Sequence, residues 1–396
     1  MKILYLCADP GVPILGRKGC STHVREVARA LVRAGHKVRI VCANAGDDRF
    51  DSGPPMDIVA VPPFRSKAIG FDLRHVLFNR RFTRELNRQV KQFRPDAIYE
   101  RFSLYSFSGH SLARRTRLPR LLEVNAFLSD EQSDRIHFQS LARKTDKFIV
   151  GHAEQVVVVS EPLRQEVAAL GIPLHHIHKM PMCADVQHFH PSKSGDAVRK
   201  QYGFEGKYVI GYVGTLTGWH GIESLYDVAA LLKSRLSNFV FFLVGGDASK
   251  AQEHRDKARS VGLEQNFVFA GSVPYECVPE HIRAMDVTLV PDTTFWSSPT
   301  KLFEYQASGV PTVAPRYAAV IEAMEENVEG LLFEPRNVQQ LAACLEELAR
   351  NPEKRLQLGR NARERVVRCH SIDQQVNELI RIYEQMIGAK GVKTPA

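Results

Sequence analysis

No run of apolar residues in this 396-residue chain reaches the roughly 18 to 20 that a bilayer-spanning helix needs. The opening segment MKILYLCADPGV is cut short by Asp9 and Pro10, so it reads as a strand rather than a signal peptide, and the chain is expected to stay in the cytoplasm. Cysteines spaced for a metal or a disulfide framework are also missing. The seven stand at positions 7, 20, 42, 183, 277, 344 and 369, an odd number with no C-x-x-C, which fits neutral thiols in a reducing compartment. Two histidine-rich stretches, His175-His176-Ile177-His178 and His188-Phe189-His190, lack cysteine or acidic partners at ligand spacing. Both read as loops, and no metal site is expected.

What is present is ordinary globular material: 44% hydrophobic and 24% charged residues, in a chain long enough for two domains of similar size. The net charge of +9 is uneven. Residues 1–195 carry 30 Lys and Arg against 19 Asp and Glu, whereas the remainder carries 23 against 25. The densest basic part, from Arg65 to Arg101 and again at Arg114, Arg115, Arg117 and Arg120, suits an anionic lipid, an anionic acceptor or a plain solvated surface. A nucleic-acid partner would rest on charge alone, and none is expected.

Strand and helix patterns alternate in each half. Residues 2–6 form a buried-strand pattern, a loop with several glycines and prolines follows, and an amphipathic helix from about Ser21 to Gly35 leads into a strand at 36–41. Further strands are read at 97–99, 120–124 and 155–159. After a Pro- and His-rich stretch the pattern restarts, with strands at 208–214, 239–246, 267–269, 287–291 and 310–314. This alternation predicts α/β domains with parallel, doubly wound sheets. The boundaries read as 1–190 for the first domain, 191–371 for the second and 372–396 for a terminal helical stretch.

Ligands in such sheets bind outside the carboxyl ends of the strands. Four segments occupy that place: residues 16–23, with Gly19 and His23; residues 214–221, with Gly214, Thr215 and His220; Gly245-Gly246-Asp247; and Ser298–Pro311. The last reads as a helix with Ser298 as N-cap, Pro299 in the first position and Gly309 at the C-terminal cap. Its first-turn N–H groups favour an anion, and Lys301 adds charge beside them. Glu304 shares a face with Lys301, about 7 to 8 Å from the first turn, roughly the span from a diphosphate to its ribose. The same residues would also make a capped surface helix with a Lys301/Glu304 ion pair.

Taken in order, Gly19, His23-Val24, Gly35-His36-Lys37-Val38, Val158-Val159-Ser160-Glu161, Asp185 to Pro191, Val213-Gly214, Phe269-Ala270-Gly271, Asp286 to Pro291 and Glu304 to Pro311 resemble the family 4 retaining glycosyltransferases of the GT-B fold. The resemblance covers nearly the whole chain. It implies two Rossmann-like domains facing across a cleft, the nucleotide-sugar held mainly by the second, the acceptor by the first, and a last helix returning to the first. It also implies that Glu304 binds ribose, that the backbone at Pro299, Thr300 and Lys301 approaches the diphosphate, that Gly19 lies near the donor phosphate, and that loop 214–221 and Gly245 border it.

The chain departs from that pattern. Trp296 stands where a second glutamate is usual, Thr215 and His220 replace an arginine and a lysine, Met182-Cys183 replace an Asn-Gly pair, and Lys18 replaces a glycine. Lys301, helped by Arg17 or Lys18, is the expected substitute for the lost cations. Asn125, near the place of a cleft histidine in relatives, and Glu100, Arg101 and Glu123 are candidates for orienting an acceptor. The expected activity is transfer of a hexose-type sugar from a UDP- or GDP-linked donor to a hydroxyl of a lipid-linked or cell-surface glycan precursor, by Lys301, Glu304 and Asn125. Neither a metal nor an organic cofactor is expected, and the enzyme would work at the inner membrane face. The alternatives are a non-catalytic scaffold that binds nucleotide or glycan, and a sugar-nucleotide epimerase or phosphorylase.

Overall fold

The computed structural model describes residues 1–47, 53–64 and 70–391. Two compact units make up the described residues: one comprises 1–47, 53–64, 70–181 and 373–391, and the other is built from Met182–Ile372. Residues 182–190, placed in the first domain from sequence, thus belong to the second. The reason is local bonding: Met182 N–H donates to Ser298 Oγ, and the Arg363 guanidinium donates to the carbonyls of Val186, Phe189 and Ala307.

The first unit holds a parallel sheet in the order β3-β2-β1-β4-β5-β6-β7. Its strands are β1 (Lys2–Cys7), β2 (Lys37–Cys42), β3 (Asp57–Ala60), β4 (Ala97–Arg101), β5 (Arg120–Val124), β6 (Gln155–Val158) and β7 (Ile177–Lys179). Strand order reverses between β1 and β4, which makes their carboxyl ends the switch point of this sheet. β7 corrects the loop reading of the first histidine cluster, since His178 lies in that strand with Nε2 hydrogen-bonded to Gln155 Oε1 at 2.7 Å. The helix Ile372–Gly391 buries Val376, Leu379, Ile382, Tyr383 and Met386, and Tyr383 donates to Ile98 O in β4 at 2.8 Å. Its apolar side chains recur at helical spacing, so one face is closed against the first unit.

The second unit holds a parallel sheet in the order β10-β9-β8-β11-β12-β13. Its strands are β8 (Tyr208–Val213), β9 (Phe239–Val244), β10 (Phe267–Gly271), β11 (Val287–Leu289), β12 (Thr312–Pro315) and β13 (Gly330–Phe333). In β9 every residue is buried because both faces are covered, as parallel strands require. Phe239, Phe241 and Leu243 enter one apolar cluster while Val240, Phe242 and Val244 enter the other, following the alternation of the strand. Here the order reverses between β8 and β11.

Candidate active site

In the second unit, loops leaving β8 and β9 run backbone against backbone. Gly245, at φ +119°, lies so close to Gly214 that a Cβ on it would come within 2.2 Å of Gly214 O. A Cβ on Gly214, at φ +150°, would meet Tyr212 Oη at 2.7 Å and Lys301 Nζ at 2.8 Å. Both positions therefore exclude a side chain, which leaves peptide edges to line the surface. Asp247, next in the β9 loop, caps the helix Ala248–Ser260 by accepting from Lys250 N–H.

The helix Thr300–Ala307 begins one residue later than the sequence suggests. Pro299 occupies the N-cap position without a side-chain cap, and Ser298 Oγ is instead occupied by Met182 N–H at 3.0 Å. The helix is tied to β8 through Tyr305, whose hydroxyl accepts from Val213 N–H at 2.7 Å. It ends with Gly309 at φ +69°, with Gly309 N–H on Gln306 O and Val310 N–H on Tyr305 O. Leu302 N–H donates to Pro299 O at 3.0 Å, which leaves the N–H groups of Thr300 and Lys301 as the first-turn donors with no earlier carbonyl in the helix, and Pro299 and Thr300 stand half-buried there.

Lys301 does not rest on Glu304. Its Nζ donates to Tyr212 Oη at 2.9 Å and lies 4.2 Å from the centre of the Tyr212 ring, while Tyr212 Oη donates onward to Thr215 O at 2.9 Å. Burial pushes the Lys301 amine down to about 7, although Glu304 attracts the charged form. His220 is neutral: burial and then the Lys301 charge push its imidazole down to about 2. Its ring lies against Trp219 at 3.6 Å between centroids, and its carbonyl accepts from Asp292 N–H. Thr215 Oγ1 and Thr217 Oγ1 share a hydrogen bond at 3.3 Å. Lys301 is thus the cation that this cluster brings beside Gly214 and Gly245, with half-buried Glu304 one turn further along the helix. Trp296 packs edge-on against Phe295 at 4.6 Å.

In the first unit, β-sheet register gathers a second cluster at the strand ends. Arg101 and Glu123 are paired across β4 and β5, and their side chains meet at 2.9 Å. Glu123 Oε1 also receives Asn125 Nδ2 at 2.6 Å and lies 2.9 Å from His23 Nε2, and Tyr5 Oη donates to Oε2 at 3.5 Å. Burial disfavours the carboxylate, but His23, Arg101 and Asn125 outweigh it and hold Glu123 well below the usual carboxylate range. Asn125 Nδ2 is committed to that charge, so its amide presents Oδ1, which is buried and unpartnered among the described residues.

Several expectations change here. Glu123 is a buried hub and not a free ligand group, and Glu100 is taken up by a buried ion pair with Arg120. Arg101 and Arg120 therefore leave the basic surface, and Arg65 and Lys67 lie outside the described residues. Arg80, Arg81, Arg84, Arg88, Arg114, Arg115 and Arg117 are exposed. Gly19 opens the helix Gly19–Arg33, and a Cβ there would meet nothing within 4 Å. Lys18 Nζ turns to Gly11 O at 3.1 Å. Sequence reasoning missed Tyr212, Tyr305 and the His23–Glu123 pair. The signal for the pair was available: a polar residue at the carboxyl end of β5, near the switch point, and a histidine in the first turns of the helix that follows β1.

Residues 195–365 match the model of the glycosyl transferases group 1, and residues 18–183 match that of the glycosyl transferase 4-like domain. The chain belongs to the family 4 glycosyltransferases. This glycosyltransferase is 24% identical over 372 residues to mannosylfructose-phosphate synthase from Agrobacterium fabrum, covering 86% of this chain and 80% of that one. It is 25% identical over 329 residues to a GDP-mannose-dependent alpha-mannosyltransferase of Corynebacterium glutamicum, covering 80% and 73%. Among solved structures it resembles sucrose-phosphate synthase from Thermosynechococcus elongatus, with a TM-score of 0.79 at 19% identity over 98% of this chain and 100% of that one. The Anabaena protein HepE in complex with UDP-glucose gives 0.76 at 19% identity over 96% and 99%. The fold of this enzyme is GT-B, with a sheet of seven parallel strands and a sheet of six. Lys301, Glu304, Thr215 and His220 fall within the group 1 match, and Gly19, His23 and Asn125 within the 4-like match.

Proposed function

We propose that this glycosyltransferase moves a hexose-type sugar from a UDP- or GDP-linked donor to an acceptor hydroxyl, with retention at the anomeric carbon. The observation that carries the reading is Lys301 at the start of the helix Thr300–Ala307, beside the peptide edges of Gly214 and Gly245, with Glu304 one turn on. A diphosphate fits the first-turn N–H groups and the amine, and a ribose with two hydroxyls fits a carboxylate one turn away. Relatives named for GDP-mannose and solved with UDP-glucose support a nucleotide-sugar donor.

The diphosphate leaves with developing negative charge, which the helix start and Lys301 stabilise where two lost cations no longer act. The departing phosphate oxygen takes the proton of the acceptor hydroxyl as the new C–O bond forms on the same face. Thr215 and neutral His220 contribute hydrogen bonds rather than charge, and Asn125 Oδ1 accepts from a hydroxyl. The donor is a substrate, and the reading invokes no cofactor or metal. For the acceptor we propose a lipid-linked or cell-surface glycan precursor, with the exposed arginines of the first unit resting on an anionic inner membrane face in the cytoplasm.

Uncharged Thr215 and His220 favour one rival, a binding scaffold without turnover. A thermal-shift screen of UDP-, GDP- and ADP-sugars identifies the donor, because a bound ligand raises the melting point. Isotope-labelled donor, supplied with membrane extract as acceptor source, then separates the readings. Labelled glycan with a retained anomeric configuration is the expected product. An isomerised donor would mean an epimerase, and binding without turnover a scaffold.

A further inference from the structure

Tyr212 has a role that neither the motif series nor the family assignment supplies, one that rests on the diphosphate reading above. Lys301 lies among four groups: Tyr212 from β8, His220 from the loop after it, and Glu304 and Tyr305 from its own helix. His220 is uncharged, the Tyr212 and Tyr305 hydroxyls are raised above their ordinary range by burial, and Glu304 acts on the amine through its charge. The hydrogen-bond partner of the amine is Tyr212 Oη at 2.9 Å, with the ring 4.2 Å below it. Tyr212 is itself fixed, since it is buried and donates to Thr215 O.

We infer that Tyr212 is the positioning residue for Lys301, holding the amine beside Gly214 until a diphosphate arrives, and that donor binding is coupled to uptake of one proton from solvent by Lys301 Nζ. Lys301 is half-buried, and the ring face and hydroxyl of Tyr212 give its amine less than a full negative charge would. Two phosphate charges restore the advantage of the ammonium form. The step is Lys301 –NH2 plus a proton from water or buffer giving –NH3+, with no other bond made or broken. Its groundwork is visible in the burial of the amine, which sets it near neutrality before the ligand comes. The sign follows: a group whose proton affinity rises on binding makes affinity fall as pH climbs above its value in the free protein.

Isothermal titration of the full chain with UDP-glucose, GDP-mannose and ADP-glucose, in pairs of buffers with different ionisation heats, reads the coupling directly. The diphosphate diester of these donors does not titrate between pH 7 and 8.5, so the proton belongs to the protein. Uptake of about half a proton at pH 7 and close to one at pH 8.5 is expected, with affinity falling up to about tenfold per pH unit at the upper end. Lys301→Arg, charged throughout, should bind with no uptake and a flat pH profile. Tyr212→Phe keeps the ring but removes the acceptor, so the fall in affinity should begin at lower pH and binding at pH 8 weaken about 3- to 10-fold. Wild-type binding with no proton uptake, or Tyr212→Phe with an unchanged profile, overturns the inference and leaves the donor reading intact. Failure to bind any of the three donors overturns both.

Discussion

Lys301 and Glu304 divide the work of the proposed donor site by charge. Lys301→Ala removes the side-chain cation set against the leaving diphosphate, and turnover should drop about 10²- to 10³-fold with little change in melting temperature. A steady-state assay at saturating donor checks this, and near-normal turnover would refute the assignment. Glu304→Gln should instead raise KM for the nucleotide-sugar, by about tenfold, through weaker acceptance of the ribose hydroxyls. Asp146 offers a test of stability. It is fully buried, one oxygen accepts from Ser129 N–H at 2.7 Å, the other has no partner among the described residues, and burial raises its carboxyl to about 6. Because the folded value lies above the unfolded one, the charge destabilises the fold increasingly as pH rises from about 4 to 6, and fully above that. Asp146→Asn should therefore gain up to about 3 kcal/mol at pH 8 and almost nothing near pH 4. Urea unfolding at the two pH values decides it, and an equal effect at both would mean that packing dominates.

At the scale of elements, loops and strand ends carry the site, and their glycines show why. Gly245→Ala would force a Cβ against Gly214 O at an unfavourable φ, so the β8 and β9 loops must separate. A loss of about 2 kcal/mol or more is expected, with weakened nucleotide binding, whereas Gly19→Ala, in open space, should be nearly neutral for folding. Equal denaturation midpoints for both variants would contradict this. The strands through 314 and the βαβ opening were legible from apolar runs, because buried parallel strands have a strong composition signal. Three short strands escaped. β3, β7 and β13 are short strands at sheet edges, β3 is partly exposed, and β7 was further hidden by its histidines. Helix starts were less legible still, since Ser298 looks like a cap until Met182 claims its hydroxyl.

The whole molecule joins a basic first unit to a near-neutral second one, and the two should respond to different ligands. Nucleotide-sugar at about 100 times its Kd should stabilise the protein by about 2.7 kcal/mol. Sedimentation with vesicles should show binding to anionic but not zwitterionic lipid, lost on replacing Arg80, Arg81 and Arg84 by Glu, with donor affinity unchanged. Equal binding to both vesicle types would mean that charge does not drive the contact, and binding to neither would argue for a soluble acceptor. By itself the sequence determined the α/β class and, through an ordered series of motifs, the family, because buried strands and tight glycine turns tolerate few residue types. It also located Lys301 and Glu304, whose three-residue spacing sets their common face on any helix. Only tertiary structure decided what those side chains touch. Lys301 turns to Tyr212 rather than Glu304, Glu123 gathers His23, Arg101 and Asn125, and Arg120 leaves the basic surface for Glu100. Asn125 stands two residues from Glu123, but the other partners come from different strands, helices or loops, and register and burial, not spacing along the chain, bring them within reach.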